Sequence, residues 1–369
     1  MKKRLFAVLM AATMVASSLV GCGSTPAETA STETPAAETS AAETQTETEA
    51  PATEASSDLK IAMITDSGDI TDMSFNQTTY EASDAFAKAN GLTFQYYKPT
   101  EDSDEARVAA FNNAVADGYN VVVMPGYAFA GAIKETADMY PDVKFVALDV
   151  SEYDLEGDDS DFNNETFANV FSAVYQEELP GYMAGYAAVK MGFTKLGFLG
   201  GMAVPAVIRY GYGFVQGADA AAAELGADVE INYAYGNQFY GDSDITAAMD
   251  TWYQGGTEVV FACGGGIFTS AGEAAAKVGG KVIGVDVDQA GTIDGMFGDG
   301  MTVTSAMKGL QATVNTLLSA IRDGQWDAYA GKIQTLGLVS ADDMSLNYVG
   351  LPEETTLWND TFKKEDLTE

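Results

Sequence analysis

The sequence contains no histidine, and this absence excludes several kinds of chemistry. Without an imidazole, the chain cannot use serine–histidine nucleophilic catalysis or bind a metal ion through histidine. Its two cysteines, Cys22 and Cys263, are too few for a disulfide framework. Any function must therefore rest on other residue types, and we expect neither a metal nor a cofactor.

Basic residues are also scarce, because 19 lysines and arginines stand against 54 aspartates and glutamates. A formal net charge of −35 is typical of a solvated acidic surface that keeps a protein soluble. The same charge repels polyanions, so nucleic acid and anionic lipid headgroups are expected to be poor partners.

The amino terminus has the pattern of an export signal. Lys2, Lys3 and Arg4 precede an apolar stretch over residues 5–20, which is too short and too early for a spanning helix. The stretch closes with Leu19-Val20-Gly21-Cys22, which resembles the bacterial lipoprotein cleavage box. We therefore predict that residues 1–22 are a lipoprotein signal peptide, cleaved before Cys22, with a lipid anchor on that cysteine.

Residues 23–57 contain alanine, threonine, glutamate, serine and proline but no large apolar side chain. Such a segment cannot bury enough surface to offset the entropy lost on ordering. Its 35 residues span on the order of 30–35 Å as a flexible coil. We interpret it as a disordered tether.

From Lys60 onward, short apolar runs alternate with helical patterns, which is the signature of an α/β fold with parallel strands. The pattern appears twice, so we predict two doubly wound lobes in a clamshell. The first lobe is assigned residues 58–172 and 295–328, and the second 173–294 and 329–369. The predicted strands are 60–65, 93–97, Val121–Met124, Lys144–Leu148, 195–199, 229–235, Val259–Ala262 and Lys281–Val285.

Three of these strands end on an aspartate: Asp66, Asp149 and Asp286. A single aspartate after a strand is ordinary turn chemistry. Three of them at carboxyl ends of strands predict a shared cleft, because ligands bind there in open α/β sheets. A cleft lined by carboxylates accepts hydroxyl and N–H donors and repels anions, so it favours a neutral or cationic polar ligand.

Aromatic residues accompany these carboxylates. Phe75 and Asn76 open the helix that follows Asp66, with Asp72 near the helix N-cap. Phe239 lies in a loop of the second lobe. It either packs onto its own sheet or faces Phe75 across the cleft, and a facing pair would make a slot for a planar ring or a sugar face.

Three further residues are candidates for the cleft or the core. Gly265, within the run Gly264-Gly265-Gly266, permits close approach of the backbone to another group. Cys263 beside it is interpreted as a buried small residue. Lys308 is either a solvated surface lysine or a cleft residue that hydrogen-bonds a hydroxyl and balances the aspartates.

Several ordered motifs resemble the basic membrane protein family, whose members are substrate-binding lipoproteins of ABC transporters and include purine nucleoside receptors. The motifs span residues 65–310 and are Thr65-Asp66 with Ser74-Phe75-Asn76-Gln77, Glu178-Leu179-Pro180-Gly181, Gly211-Tyr212-Gly213-Phe214, Phe239 to Asp242, Gly284-Val285-Asp286, and Thr304-Ser305 with Lys308. The resemblance implies the type I fold of periplasmic binding proteins.

The resemblance also implies roles for individual residues. Phe75 and Phe239 would hold a purine between them, and the base would be read by Asp66, Asn76 and Asp149. Asp286 and Lys308 would grip the ribose hydroxyls, with a backbone contact to the sugar at Gly265.

The expected function is therefore that of a monomeric receptor, anchored by lipid to the bacterial cell membrane outside the cytoplasm. It would deliver purine nucleosides to ABC permease subunits and would not be an enzyme. The alternatives are a monosaccharide receptor of the same fold, a nucleoside-processing enzyme that uses the aspartates, and a sensor that signals rather than transports.

Overall fold

The computed structural model describes residues 58–66, 68–156 and 165–367. The predicted signal peptide, the lipidation site Cys22 and the tether lie outside these residues.

The strands of the described chain are β1 (Lys60–Ile64), β2 (Thr93–Tyr97), β3 (Val121–Pro125), β4 (Lys144–Leu148), β5 (Val170–Tyr175), β6 (Lys195–Gly200), β7 (Glu230–Tyr235), β8 (Val259–Cys263), β9 (Lys281–Asp286), β10 (Thr302–Lys308), β11 (Lys332–Leu336) and β12 (Val349–Gly350). All eight strands predicted from the sequence are present.

The α-helices are α1 (Phe75–Asn90), α2 (Asp104–Ala116), α3 (Ala130–Thr136), α4 (Glu152–Glu156), α5 (Glu178–Lys190), α6 (Pro205–Leu225), α7 (Ser243–Gln254), α8 (Phe268–Ala276), α9 (Ala290–Phe297) and α10 (Leu310–Arg322). Short 3₁₀ turns cover Tyr127–Phe129, Trp326–Ala328, Met344–Leu346 and Lys364–Leu367. Within the described chain, no helix combines the length and the apolar character needed to cross a membrane.

The strands form two six-stranded sheets of the same design. Their orders are β11-β5-β4-β3-β1-β2 and β12-β10-β9-β8-β6-β7. Neighbouring strands run parallel except for β12, which is antiparallel to β10. Each position in one sheet has a counterpart in the other, so the predicted pair of doubly wound parallel lobes is confirmed.

The central strands are apolar on both faces because helices cover both sides of each sheet. Successive side chains of β1 point to opposite faces of the sheet and so pack in different core clusters. Met63 packs in one core cluster with Phe86 of α1, whereas Ile64 packs in another with Phe111 of α2. All residues from Ile61 to Ile64 are fully buried.

Small residues allow α5 and α6 to pack closely. A Cβ atom at Gly185 would lie 2.0 Å from the carbonyl oxygen of Phe214, and one at Gly217 would lie 1.9 Å from that of Tyr182. Both distances are far below van der Waals contact, so these glycines set the separation of the two helices.

The predicted lobe boundaries are wrong at three strands. The strand β5 extends the first sheet to Tyr175, beyond residue 172, and β11 also belongs to this sheet rather than to the second lobe. Conversely, β10 belongs to the second sheet although 295–328 was assigned to the first lobe. The cause is repeated crossing of the chain between lobes: α10, which follows β10, packs with α1 in the first lobe. An apolar run predicts a strand, but not the sheet that the strand joins.

Candidate ligand-binding site

A cavity of about 650 Å³ lies at the carboxyl ends of the strands and is lined by both lobes. All eight residues predicted to bind the ligand line this cavity: Asp66, Phe75, Asn76, Asp149, Phe239, Gly265, Asp286 and Lys308. The structure therefore brings the predicted set together in one place, and the hydrogen bonds among these residues divide them into two groups.

The first group is formed by Asp66 and Asn76. One carboxylate oxygen, Asp66 Oδ1, accepts hydrogen bonds from the Gly68 amide at 2.6 Å and from Asn76 Nδ2 at 2.9 Å. The Asn76 amide group also donates to Asp72 Oδ2 at 3.1 Å, and its oxygen accepts from the Asp66 N–H at 3.3 Å. The Asn76 side chain is therefore engaged mainly with protein groups, which fix the position of Asp66.

The pKa of Asp66 is raised to about 6, and burial is the main cause. The hydrogen bonds from Gly68 and Asn76 oppose this shift, and the charge of Asp72 adds to it. Asp66 therefore titrates near the pH range in which many proteins operate.

Asp72 places this group by capping α1. Its carboxylate accepts hydrogen bonds from the backbone N–H groups of Ser74, Asn76 and Gln77 at 2.9–3.0 Å. These are N–H groups of the first helical turn, which have no partner within the helix. The N-cap residue is Ser74, two residues after Asp72. The Asp72 side chain nevertheless caps the helix through these hydrogen bonds and so fixes Phe75 and Asn76 at the cavity wall.

The second group surrounds Lys308, which is a cleft residue and not a surface lysine. Its side chain is only 3 % exposed, and Nζ donates a hydrogen bond to Asp149 Oδ2 at 2.6 Å. Asp286 Oδ1 lies 3.6 Å and Glu177 Oε1 3.7 Å from the same nitrogen. Burial lowers the pKa of Lys308, but these three carboxylates outweigh it and raise the pKa overall.

Asp149 and Asp286 occupy the same position in the two lobes, after β4 and at the end of β9. Both have a left-handed backbone, with φ of +63° and +67°. Aspartate visits this region more readily than most residues. Burial raises the pKa of Asp286 and the Lys308 charge opposes the shift.

Glu177 is a member of this group that the sequence did not reveal. It is fully buried between β5 and α5, and Oε2 accepts a hydrogen bond from Arg209 Nε of α6 at 2.6 Å. Burial, followed by the charge of Asp149, raises its pKa to about 7. A glutamate at a helix start is ordinary helix-dipole chemistry, so the sequence carried no signal for a buried role.

The two predicted aromatic walls belong to different lobes. Phe75 packs against the core of the first lobe and Phe239 against that of the second. The Lys308 ammonium lies 4.3 Å from the centre of the Phe75 ring, close enough for a cation–π interaction. Gly265, at φ +52°, leaves no room for a side chain, because a Cβ atom would lie 2.8 Å from the Phe239 carbonyl oxygen.

Two hydrogen bonds join the lobes beside the cavity. Ser74 Oγ, at the start of α1, donates to Asp286 Oδ2 at 2.5 Å. Gln289 Nε2, after β9, donates to the Met73 carbonyl oxygen at 3.0 Å. Together with the bond from Lys308 to Asp149, they hold the first lobe against the second around the cavity.

The remaining predictions concern Cys263 and metal binding. Cys263 lies in the cavity wall and is 1 % exposed, which confirms its interpretation as a buried small residue. Within the described part of the chain, no cluster of three or more cysteine, aspartate or glutamate side chains has an arrangement suited to a metal ion.

The two similar lobes with a cavity between them define a fold class, the type I fold of periplasmic binding proteins. A solute-binding protein of an ABC transporter system from Aeropyrum pernix K1 has the same fold, with a TM-score of 0.65 and 20% identity, and the match covers 84% of each chain. This likeness shows the fold alone.

Residues 59–366 match the family model described as ABC transporter substrate-binding protein PnrA-like, and the chain belongs to this Bmp family. It is thus an ABC transporter substrate-binding protein, and the resemblance seen in the sequence is confirmed. The chain is 29% identical over 302 residues to an ABC transporter nucleoside-binding protein, BmpA, of Lactococcus lactis, with 77% of this chain and 80% of the relative covered. An uncharacterized lipoprotein of Pyrococcus abyssi is 25% identical over 292 residues, covering 78% and 68%.

Proposed function

We propose that the protein is a lipid-anchored receptor outside the cytoplasm that binds purine nucleosides, namely guanosine, inosine and adenosine, and delivers them to ABC permease subunits. The observation that carries this proposal is the make-up of the cavity: two phenylalanines from opposite lobes, and two separate polar groups built on Asp66 and on Lys308. The receptor acts as a monomer and makes or breaks no covalent bond.

The base would lie between Phe75 and Phe239. Each aromatic pair contributes about 0.5–1.5 kcal/mol beyond the burial of apolar area. Asp66 would then meet the polar edge of the base, since its second oxygen, Oδ2, accepts no hydrogen bond from any described residue. The nucleoside-binding relative from Lactococcus lactis supports this assignment of the ligand.

The ribose would lie against the second group. Asp286 Oδ1 and Lys308 Nζ are 3.6 Å apart, so neighbouring hydroxyls can donate to the carboxylate and accept from the ammonium. Asp149 Oδ1 is buried and, within the described chain, has no partner, so it offers a further acceptor. A ligand without the diol would leave buried charged groups unpaired, at a cost of about 1–3 kcal/mol for each group. We assign Gly265 a backbone contact to the sugar.

Mass spectrometry of small molecules released from the purified, denatured protein tests the ligand class. Recovery of a purine attached to a pentose supports the proposal, whereas recovery of a hexose indicates the monosaccharide receptor instead. Calorimetric titration with ribonucleosides, 2′,3′-dideoxynucleosides and monosaccharides then tests the contacts. Equal affinity for ribonucleosides and their dideoxy analogues would show that the ribose assignment is wrong.

Two further experiments test the absence of enzyme activity and the lipid anchor. Incubation with inosine should release no free hypoxanthine, and release that scales with protein concentration would establish an enzyme. Expression of the full chain with Cys22→Ser should move the protein from the membrane fraction to the soluble fraction. Retention of the Cys22→Ser variant in the membrane would refute the lipid anchor.

A further inference from the structure

The hydrogen bonds of Asn76 determine what the base-reading edge of the cavity can offer. Its amide nitrogen carries two hydrogens and has two carboxylate partners, Asp66 Oδ1 at 2.9 Å and Asp72 Oδ2 at 3.1 Å. Asp72 is in turn fixed by the N–H groups of α1. Asn76 therefore cannot donate to a ligand without breaking a hydrogen bond to a carboxylate.

The same edge does offer acceptors. Asp66 Oδ1 is held by the Gly68 and Asn76 donors, which leaves Asp66 Oδ2 for a ligand. This oxygen lies against Gly126, at φ +128°, where a Cβ atom would be 3.1 Å away. The Asn76 amide oxygen accepts one hydrogen bond, from the Asp66 N–H, and retains a second lone pair. With Asp66 ionised, Asp66 and Asn76 thus present acceptors and no free donor.

We propose that this edge selects 6-oxopurine nucleosides over adenosine, because a 6-oxopurine presents a donor where adenosine presents an acceptor. Inosine carries N1–H, and guanosine carries N1–H beside an exocyclic amino group. Adenosine carries a lone pair on N1, which faces the carboxylate unpaired where Asp66 lies opposite N1, and its donor on this edge is the amino group at C6. The inference rests on the proposed function and adds the order of preference: guanosine first, then inosine, then adenosine.

Protonation of Asp66 reverses the character of the edge, since a neutral carboxyl can donate to adenosine N1. The pKa of about 6, raised by burial, places this change between pH 5 and 7.5. The titratable and charged groups that surround Asp66 are Asp72 ahead of α1, the ion pair of Lys98 with Asp69, Arg107 of α2 with its partner Asp102, and Tyr127 after β3. Lys98 pairs with Asp69 and Arg107 pairs with Asp102, but each keeps further N–H donors. Lys98 lines the cavity, whereas Arg107 is not among its lining residues.

Calorimetric titration of the mature receptor at pH 7.5 and pH 5.0 tests the proposal with guanosine, inosine and adenosine. Asp66 is about nine-tenths protonated at the lower pH and nearly fully ionised at the higher pH. At pH 7.5 we expect inosine to bind about 10–100-fold more tightly than adenosine. At pH 5.0 this ratio should fall at least about tenfold, with adenosine binding more tightly and inosine more weakly.

The variant Asp66→Asn separates this effect from a general effect of pH. An amide both donates and accepts at either pH, so the ratio of inosine to adenosine affinity should become small and independent of pH. Asp84→Asn, which changes a partly exposed carboxylate of α1 that is paired with Lys88, should keep the pH-dependent ratio of the wild type. Circular dichroism shows whether each variant is folded, and the wild-type titrations decide the proposal without the variants.

A wild-type ratio that is the same at both pH values would overturn this inference while leaving nucleoside binding intact. A ratio that favours adenosine at pH 7.5 would also overturn it. Failure of all three nucleosides to bind would instead refute the proposed function.

Discussion

The two lobes share one strand order, so each strand end at the cavity has a counterpart on the other side. After β1 the first lobe places Asp66, whereas after the equivalent strand β6 the second lobe places Gly201. A Cβ atom at Gly201 would lie 2.4 Å from the Phe239 ring. At this position, one lobe supplies a charge and the other gives up its side chain to make room for an aromatic wall.

The strands β5 and β10 differ in a similar way. The first lobe ends β5 with Tyr175, whose hydroxyl donates to Thr313 inside the core. The second lobe ends β10 with Lys308, which points at three carboxylates. The ends of β4 and β9, in contrast, are alike, because each has an aspartate of the same left-handed backbone. The duplicated scaffold provides equivalent positions, and the binding chemistry comes from how the side chains at these positions differ.

Replacement of Lys308 should have the largest effect, because it removes a cation that contacts carboxylates of both lobes. We expect Lys308→Met to abolish nucleoside binding and to lower the free energy of unfolding by about 3–5 kcal/mol at pH 7, since buried carboxylates lose their partner. The control Lys277→Met removes an exposed lysine paired with Asp250, which should change the free energy of unfolding very little. Urea unfolding measures the free energy of unfolding of both variants.

The deficit of Lys308→Met should depend on pH with a definite sign. The pKa of Glu177 is raised in the folded protein to about 7, so its ionisation opposes folding. The stability contributed by protonated Glu177 is fully present below the pKa of the unfolded chain, near 4.5, and is lost as the pH rises through about 7. The deficit should therefore shrink on going from pH 8 to pH 5. A deficit that is constant with pH, or equal to that of Lys277→Met, would contradict the role assigned to the buried charges.

Two glycines near corresponding strand ends allow a second test of the comparison: Gly126 directly follows β3, and Gly265 is the second residue after β8. Gly265→Ala should displace Phe239 and weaken binding of every nucleoside about tenfold, because its Cβ atom meets the Phe239 backbone at 2.8 Å. Gly126→Ala should press on Asp66 at 3.1 Å, and so change the preference among purines more than the overall affinity. Calorimetry with guanosine and adenosine measures both effects.

The matched control is Gly226→Ala. Gly226 also has positive φ, +62°, but nothing lies within 4 Å of its Cβ position. It should show the backbone cost of about 1–2 kcal/mol in stability without any change in binding. If Gly126→Ala and Gly265→Ala changed affinity in the same way for all nucleosides, the two lobes would not have separate tasks.

The sequence predicted the parts of this site that follow from local pattern. Asp66, Asp149 and Asp286 could be found because they follow buried apolar runs, and strand ends of parallel sheets share one edge. The sheet that β10 joins could not be found, since it depends on how often the chain crosses between lobes. Glu177 was missed because its partners in the buried group, Arg209 and Lys308, lie 32 and more residues away along the chain.

The roles within the site were also only partly predictable. A side chain's residue type shows which hydrogen bonds it can make, but not which partner it meets. Asn76 was expected to read the base, yet its donors are held by Asp66 and Asp72. Asp149 was grouped with Asp66 from its position after a strand, whereas the structure pairs it with Lys308.

The smallest expected effect concerns the hydrogen bond that crosses from the first lobe to the second at Ser74. Ser74→Ala removes the donor to Asp286 Oδ2, and we expect a loss in affinity of about fivefold to tenfold, because a hydrogen bond to a charged group is worth about 1.5 kcal/mol and binding needs both lobes in place. Ser83→Ala is the matched control: Ser83 is buried in the same helix, and its hydroxyl donates to the Thr79 carbonyl within the first lobe. Ser83→Ala should leave the affinity for nucleosides unchanged, while it lowers the free energy of unfolding about as much as Ser74→Ala does. Equal losses of affinity in the two variants would mean that the bond from Ser74 to Asp286 does not contribute to closure of the lobes around the ligand.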